Sequence, residues 1–112
     1  MQVLERLQNW YKNQCDGDWE HYHGVKIETI DNPGWAITID LNETPLEGVQ
    51  FVISNDISEF DWFHIKIIDN KYIACGDPSK LNFLLEYFLD DLFLKASKNE
   101  LDYNLLIPLY GA

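Results

Sequence analysis

Positive charge is scarce in this sequence. Eight lysines and arginines stand against nineteen aspartates and glutamates, a formal net charge of −11. Phosphate backbones need a cationic stripe, so nucleic acid is an unsuitable partner, and so is an anionic membrane surface. A basic protein partner suits this charge, because the field would steer its approach; plain solubility is the simpler explanation of it. Cysteine is also scarce. Cys15 and Cys75 alone make no disulfide framework and are expected to stay reduced. Cys75, inside "YIACG", reads as a small buried hydrophobe. No run approaches the ~18 to 20 apolar residues that span a bilayer. The stretch "MQVLERLQNWYKNQ" lacks the basic start, apolar run and cleavage site of a signal peptide, so a cytoplasmic location is expected. Internal repeats, low-complexity tracts and flexible linkers are absent too, which leaves one domain over residues 1–112.

What the chain does have is core material. Hydrophobic residues make up 46% of its 112 positions, with four tryptophans, six tyrosines and six phenylalanines. Residues 2–14 carry Val3, Leu4, Leu7, Trp10 and Tyr11 at helical spacing. From Gly24 the period switches to two. Strands are expected at "VKIETI" (25–30), "WAITIDL" (35–41), "VQFVIS" (49–54), "WFHIKII" (62–68) and "KYIAC" (71–75). "DNPG" between the first two reads as a type II turn centred on Pro33 and Gly34, and "DN" at 69–70 as a tight turn. The segments 42–48 and 55–61 are connectors, with Ile57 and Phe60 of the second expected to fold back onto the core. "GDPSK" signals a helix from Pro78, capped by Asp77, running to Ala96 with an apolar surface wide enough for deep burial or a dimer contact. The apolar tail "LDYNLLIPLYG" (101–111) reads as an extended segment over the core, and the role of 97–112 stays open. The expected fold is α+β: an N-terminal helix, an antiparallel β-meander of four to five strands and a long C-terminal helix, in two layers. Ile27, Trp35, Ile37, Ile39, Phe63, Ile65, Leu84 and Phe88 are the expected core. Lys26, Glu28, Thr38, Asp40, Gln50, Ser54, His64 and Lys66 are expected on the wet face of the sheet.

The densest chemistry lies in "CDGDWEHYHG", residues 15–24. Cys15, His21 and His23 are three residues of zinc-ligand type, but no fourth ligand accompanies them at a zinc-site spacing. Asp16, Asp18 and Glu20 suit the first positions of a calcium loop, yet the twelfth position is Ile27 and not glutamate. No metal and no cofactor are therefore expected. The carboxylates can also be read as a glycosidase pair, or Cys15 with His21 as a nucleophile and base, which keeps a small hydrolase or metal-dependent enzyme using the cluster from Cys15 to His23 as the alternative. No oxyanion-hole motif or evident cleft supports it, and no catalytic residue is assigned. The plainest reading is a loop whose acids and histidines bind local backbone groups and brace helix against sheet. Aromatics among acids on an irregular segment also suit a protein-binding surface. On that reading Asp16, Asp18, Trp19, Glu20 and His21 are the candidate partner-binding residues.

The stretch "WYKNQCDGDWEHYHGVKIETIDNPGWAITIDL", from Trp10 to Leu41, resembles the immunity protein 53 family of bacterial polymorphic toxin systems. The pieces that carry the resemblance are "WY", "CDGDWEH", "DNPGW" and "IDL", joined by the later "DW" at 61–62 and the glycine before the last helix. The resemblance implies an intracellular antidote, made beside a secreted toxin, that binds the toxin and blocks it without catalysis or cofactor. A basic cognate toxin is the expected partner, and a homodimer through the apolar last helix is compatible with that role.

Overall fold

A computed structural model of the chain describes residues 2 to 94. Its elements are α1 (Val3–Gln14), α2 (Trp19–Tyr22), β1 (Val25–Ile30), β2 (Gly34–Asp40), β3 (Phe51–Ser58), β4 (Asp61–Ile68), β5 (Lys71–Gly76) and α3 (Leu81–Glu86), which continues as a π-helical segment (Tyr87–Leu94). The fold is α+β, with an N-terminal helix and a five-stranded antiparallel sheet. Strand order is β1-β2-β5-β4-β3, so the sheet is not a simple meander. β5 enters between β2 and β4 and pairs with both. The reason lies in the connector after β2. Leu41, Leu46 and Val49 of that segment are buried, so it runs across the core and does not close a hairpin to β3.

Alternation fixes the two faces. One face carries the row Val25, Ile39, Tyr72, Ile67 and Phe51, one residue from each strand in register, and beside it the row Ile27, Ile37, Ala74, Ile65 and Ile53. Helices cover this face. Leu7 and Trp10 of α1, Leu84 and Leu85 of α3, and Phe88, Leu89 and Leu92 of the π-helical segment join the sheet residues in one contiguous core. Phe88 sits at its centre, with ring centroids 5.1 Å from Trp10 and 5.0 Å from Tyr72. An Arg6–Asp90 ion pair ties α1 to the π-helical segment.

Several expectations are corrected here. Ile27 is 38% exposed although it faces fully buried Ile37, because β1 is an edge strand that the helices do not reach. Trp35 and Phe63 are half-buried at the end of the sheet. The indole of Trp35 donates to the Pro78 carbonyl at 3.0 Å. Leu4 and Tyr11, expected on the apolar stripe of α1, are exposed. The turn before β2 has a cis Asn32–Pro33 peptide in place of the type II turn. Gly34 opens β2 so close to its neighbour that a Cβ there would collide with the carbonyl oxygen of Gly76. The C-terminal helical segment is shorter than expected and begins at Leu81, not Pro78. Asp77 does not cap it, since its carboxylate is engaged with β4 instead. The expected end at Ala96 and the tail 97–112 lie outside the described residues. The 69–70 turn is as expected, with Asp69 and Asn70 both at positive φ.

Candidate functional site

The 15–23 segment is a braced turn. Asp16 Oδ1 accepts the backbone N–H groups of Asp18 at 3.0 Å and Trp19 at 2.8 Å. Glu20 reaches back to accept those of Asp16 and Gly17 at about 3 Å. This reciprocal arrangement works as a capping box does, satisfying the free donors at the start of α2. The same hydrogen bonds hold both carboxyls below their ordinary pKa: those from Trp19 and Asp18 act on Asp16, while Glu20 is held first by its own N–H and then by Asp16 and Gly17. Gly17 turns the chain at φ +93°, where a side chain would be strained.

Trp19 is not on the surface. It is 2% exposed, lies edge-on to Trp10 at 6.0 Å, and donates its indole N–H to the Asn42 carbonyl at 2.8 Å. Its expected role in partner contact is corrected to that of a core residue. The brace exists to seat this tryptophan. Asp18 and His21 remain exposed, with Tyr22 beside them at 77% exposure. The two histidines diverge. His21 belongs to α2, whereas His23 follows it and packs on the Trp19 ring at 5.6 Å. Cys15 donates its thiol to the Tyr11 carbonyl. Among the described residues, no three His, Cys, Asp or Glu side chains converge as metal ligands.

A second surface is more open. The face of the sheet away from the helices carries the row Glu28, Ala36, Cys75, His64 and Ser54, and the row Lys26, Thr38, Ile73, Lys66 and Val52. It holds Glu28 and Lys26 on edge strand β1 and His64 and Lys66 on β4, with small or apolar residues on β2 and β5 between them. At one end lies an open groove of about 590 Å³, lined by Asp56, Ser58, Glu59, Trp62, His64 and Cys75 among others. Trp62 and His64 are tilted against each other at 5.6 Å, and His64 Nε2 is 3.1 Å from Asp56 Oδ1. Burial pushes the Cys75 thiol up, partly offset by Lys66.

The groove borders the β3–β4 hairpin, whose tip carries Ile57 at 66% and Phe60 at 78% exposure. The expectation that both fold back onto the core is thereby overturned. The last β4–β5 pair is Phe63 with Gly76, so the pairs Asp56–Trp62 and Ser58–Asp61 extend past the end of β5. Past that pair the hairpin has no β5 beside it, and Ile57 and Phe60 face solvent.

The base of this hairpin is held by Asp77, a carboxylate 1% exposed. Its Oδ2 accepts the Trp62 N–H at 2.9 Å and the Lys80 ammonium at 2.7 Å, and its Oδ1 accepts the Ser79 N–H and hydroxyl. Burial alone would raise its pKa, but these hydrogen bonds outweigh burial and hold it far below the usual carboxylate range. Lys80 also reaches Asp61 at 2.8 Å, and the two carboxylates hold its pKa up.

A family model described as immunity protein 53 matches residues 4–92, which take in every described element up to the π-helical segment. The chain belongs to the immunity protein 53 family. Membership carries an immunity role, with a toxin as partner, and suggests a non-enzymatic one. No curated protein and no solved structure matches the chain. Among the described residues of this immunity protein no helix is long and apolar enough to cross a membrane. Of the apolar residues that prompted the homodimer expectation, Leu84, Leu85, Phe88, Leu89 and Leu92 are buried within its own core, while Phe83 is 36% exposed. Sequence reading missed the hairpin tip. The available signal was "ISEF", two large apolar residues set among acids at a turn.

Proposed function

We propose that this immunity protein neutralises a cognate toxin in the cytoplasm by binding it directly and covering its active or substrate-binding surface. The observation that carries the reading is the net charge of −11 in a chain of this family. Such a charge favours a toxin whose contacted surface is basic and speeds the encounter by long-range attraction. The exposed Asp18 and His21, with the charges of Asp16 and Glu20 beside them, form one acidic corner of that field. They act on approach, and Trp19 supports them from within.

The test uses a candidate toxin, taken as whichever polypeptide encoded beside this chain's gene arrests growth when expressed alone. Co-expression should restore growth. Purified partners should associate quickly at low salt and more slowly at high salt, with Asp18→Lys lowering the association rate in a salt-dependent way. An association rate indifferent to salt would remove the electrostatic part of the reading. Growth arrest undiminished by the folded parent chain would remove the whole of it.

A further inference from the structure

We propose that the tip of the β3–β4 hairpin, with the groove beside Trp62, is the element that seats in a basic-walled cleft of the toxin. The inference rests on the immunity reading above and adds the contact surface and its chemistry. Ile57 and Phe60 are the apolar anchors, and Asp56 and Glu59 form the acidic rim that meets lysine or arginine.

Four observations converge on it. The tip exposes two large apolar side chains where a hairpin turn ordinarily carries polar or small residues. It projects past the end of β5, as an inserting element must. It is held in place before any partner arrives: Asp77 binds the Trp62 N–H, the Asp77 N–H donates to the Trp62 carbonyl at 3.1 Å, and Lys80 bonds Asp61. An element already fixed loses little freedom on binding, which favours affinity. The fourth observation is charge. Asp56, Glu59 and Asp61 surround the apolar pair. Lys80 offsets Asp61 and His64 lies against Asp56, whereas Glu59 has no ion pair among the described residues.

That ring of acids also selects the occupant. Two copies of this tip would repel, so a second copy of the chain is disfavoured. A cleft lined by lysine and arginine is complementary, and the face of Trp62 offers such a cation a further contact. Apolar anchors inside a polar rim are the arrangement in which a few residues dominate binding.

The experiment uses the full chain and the candidate toxin defined above. Ile57→Ser and Phe60→Ala, separately and together, should leave the melting curve unchanged, since both side chains face solvent. Phe60→Ala should raise the dissociation rate about tenfold or more, as loss of an anchor does. Glu59→Lys should slow association several-fold at low salt, with the difference shrinking at high salt. Bound toxin should protect Cys75, which lines the groove, from alkylation and leave Cys15 at the opposite end of the sheet reactive. A folded Ile57→Ser/Phe60→Ala chain that binds and rescues growth like the parent overturns the inference while leaving the immunity reading intact. So does protection of Cys15 alone, or a Phe60-dependent dimer of the free chain. Failure of the parent itself to bind overturns the immunity reading and this inference with it.

Discussion

Lys80 places its ammonium 2.7 Å from Oδ2 of Asp77, the one charged side chain that is buried among the described residues. Removing Asp77 leaves the Trp62 and Ser79 N–H groups without their acceptor and Lys80 with Asp61 alone. Asp77→Ala should therefore cost ~2 to 4 kcal/mol at neutral pH, measured by denaturant unfolding. The pH dependence has a definite sign. The folded pKa of Asp77 is depressed, so its contribution is complete above the unfolded carboxylate value of ~3.9 and is lost as pH falls from there towards the folded value. The gap between parent and variant should be constant near neutrality and narrow below about pH 4. A gap that widens on acidification would contradict this assignment.

The brace around Trp19 gives a contrasting expectation. Asp16→Ala and Glu20→Ala each remove an acceptor for the backbone donors of the turn that leads into α2. Both should lower the melting temperature by a few degrees, as loss of a helix cap does in a small domain. Asp18→Asn should not, because no hydrogen bond of its side chain contributes to the turn. Thermal melts of the three variants side by side decide the matter.

Core position, and not residue type, should govern truncation. Phe88 is fully buried between Trp10 and Tyr72, so Phe88→Ala should cost ~3 to 5 kcal/mol. Ile39→Ala should cost ~2 to 5 kcal/mol for the same reason. Ile27 shares the face of these residues but is open at the edge, and Ile27→Ala should cost less than about 1.5 kcal/mol. Equal losses at Ile27 and Ile39 would mean that β1 is covered in solution.

The sequence was informative where a period repeats. Alternation gave all five strands and both faces of the sheet, since each inward residue from Val25 to Tyr72 answers the same packing demand. It did not give strand order, which depends on where a ten-residue connector travels. One clue was present: from Tyr72 to Gly76 β5 is apolar at every position, the composition of a strand flanked on both sides. At the candidate site, the acids of 15–23 were visible as a group, but a carboxylate that binds backbone looks in sequence like one that awaits a partner. Ile57 and Phe60 fit a core pattern, and only the reach of the hairpin beyond β5 places them outside.

Glycine substitutions test the close contact between β2 and β5. Gly34→Ala would drive a Cβ into the carbonyl oxygen of Gly76, a backbone atom that cannot rotate away. It should destabilise by ~1 to 3 kcal/mol or prevent folding. Gly24→Ala meets nothing within 4 Å and should be tolerated. Urea unfolding of the two variants measures the difference.

The central place of β5 sets a rule for synthesis. The strand that joins the two halves of the sheet is the last of the five to leave the ribosome. Until it emerges, the β1–β2 and β3–β4 pairs share no edge, and an isolated hairpin is marginal in water. Before that, the nascent chain has only two marginal hairpins to build on. The sheet becomes continuous in one step, when residues 71–76 close the gap and the helical segment after them packs on the finished face.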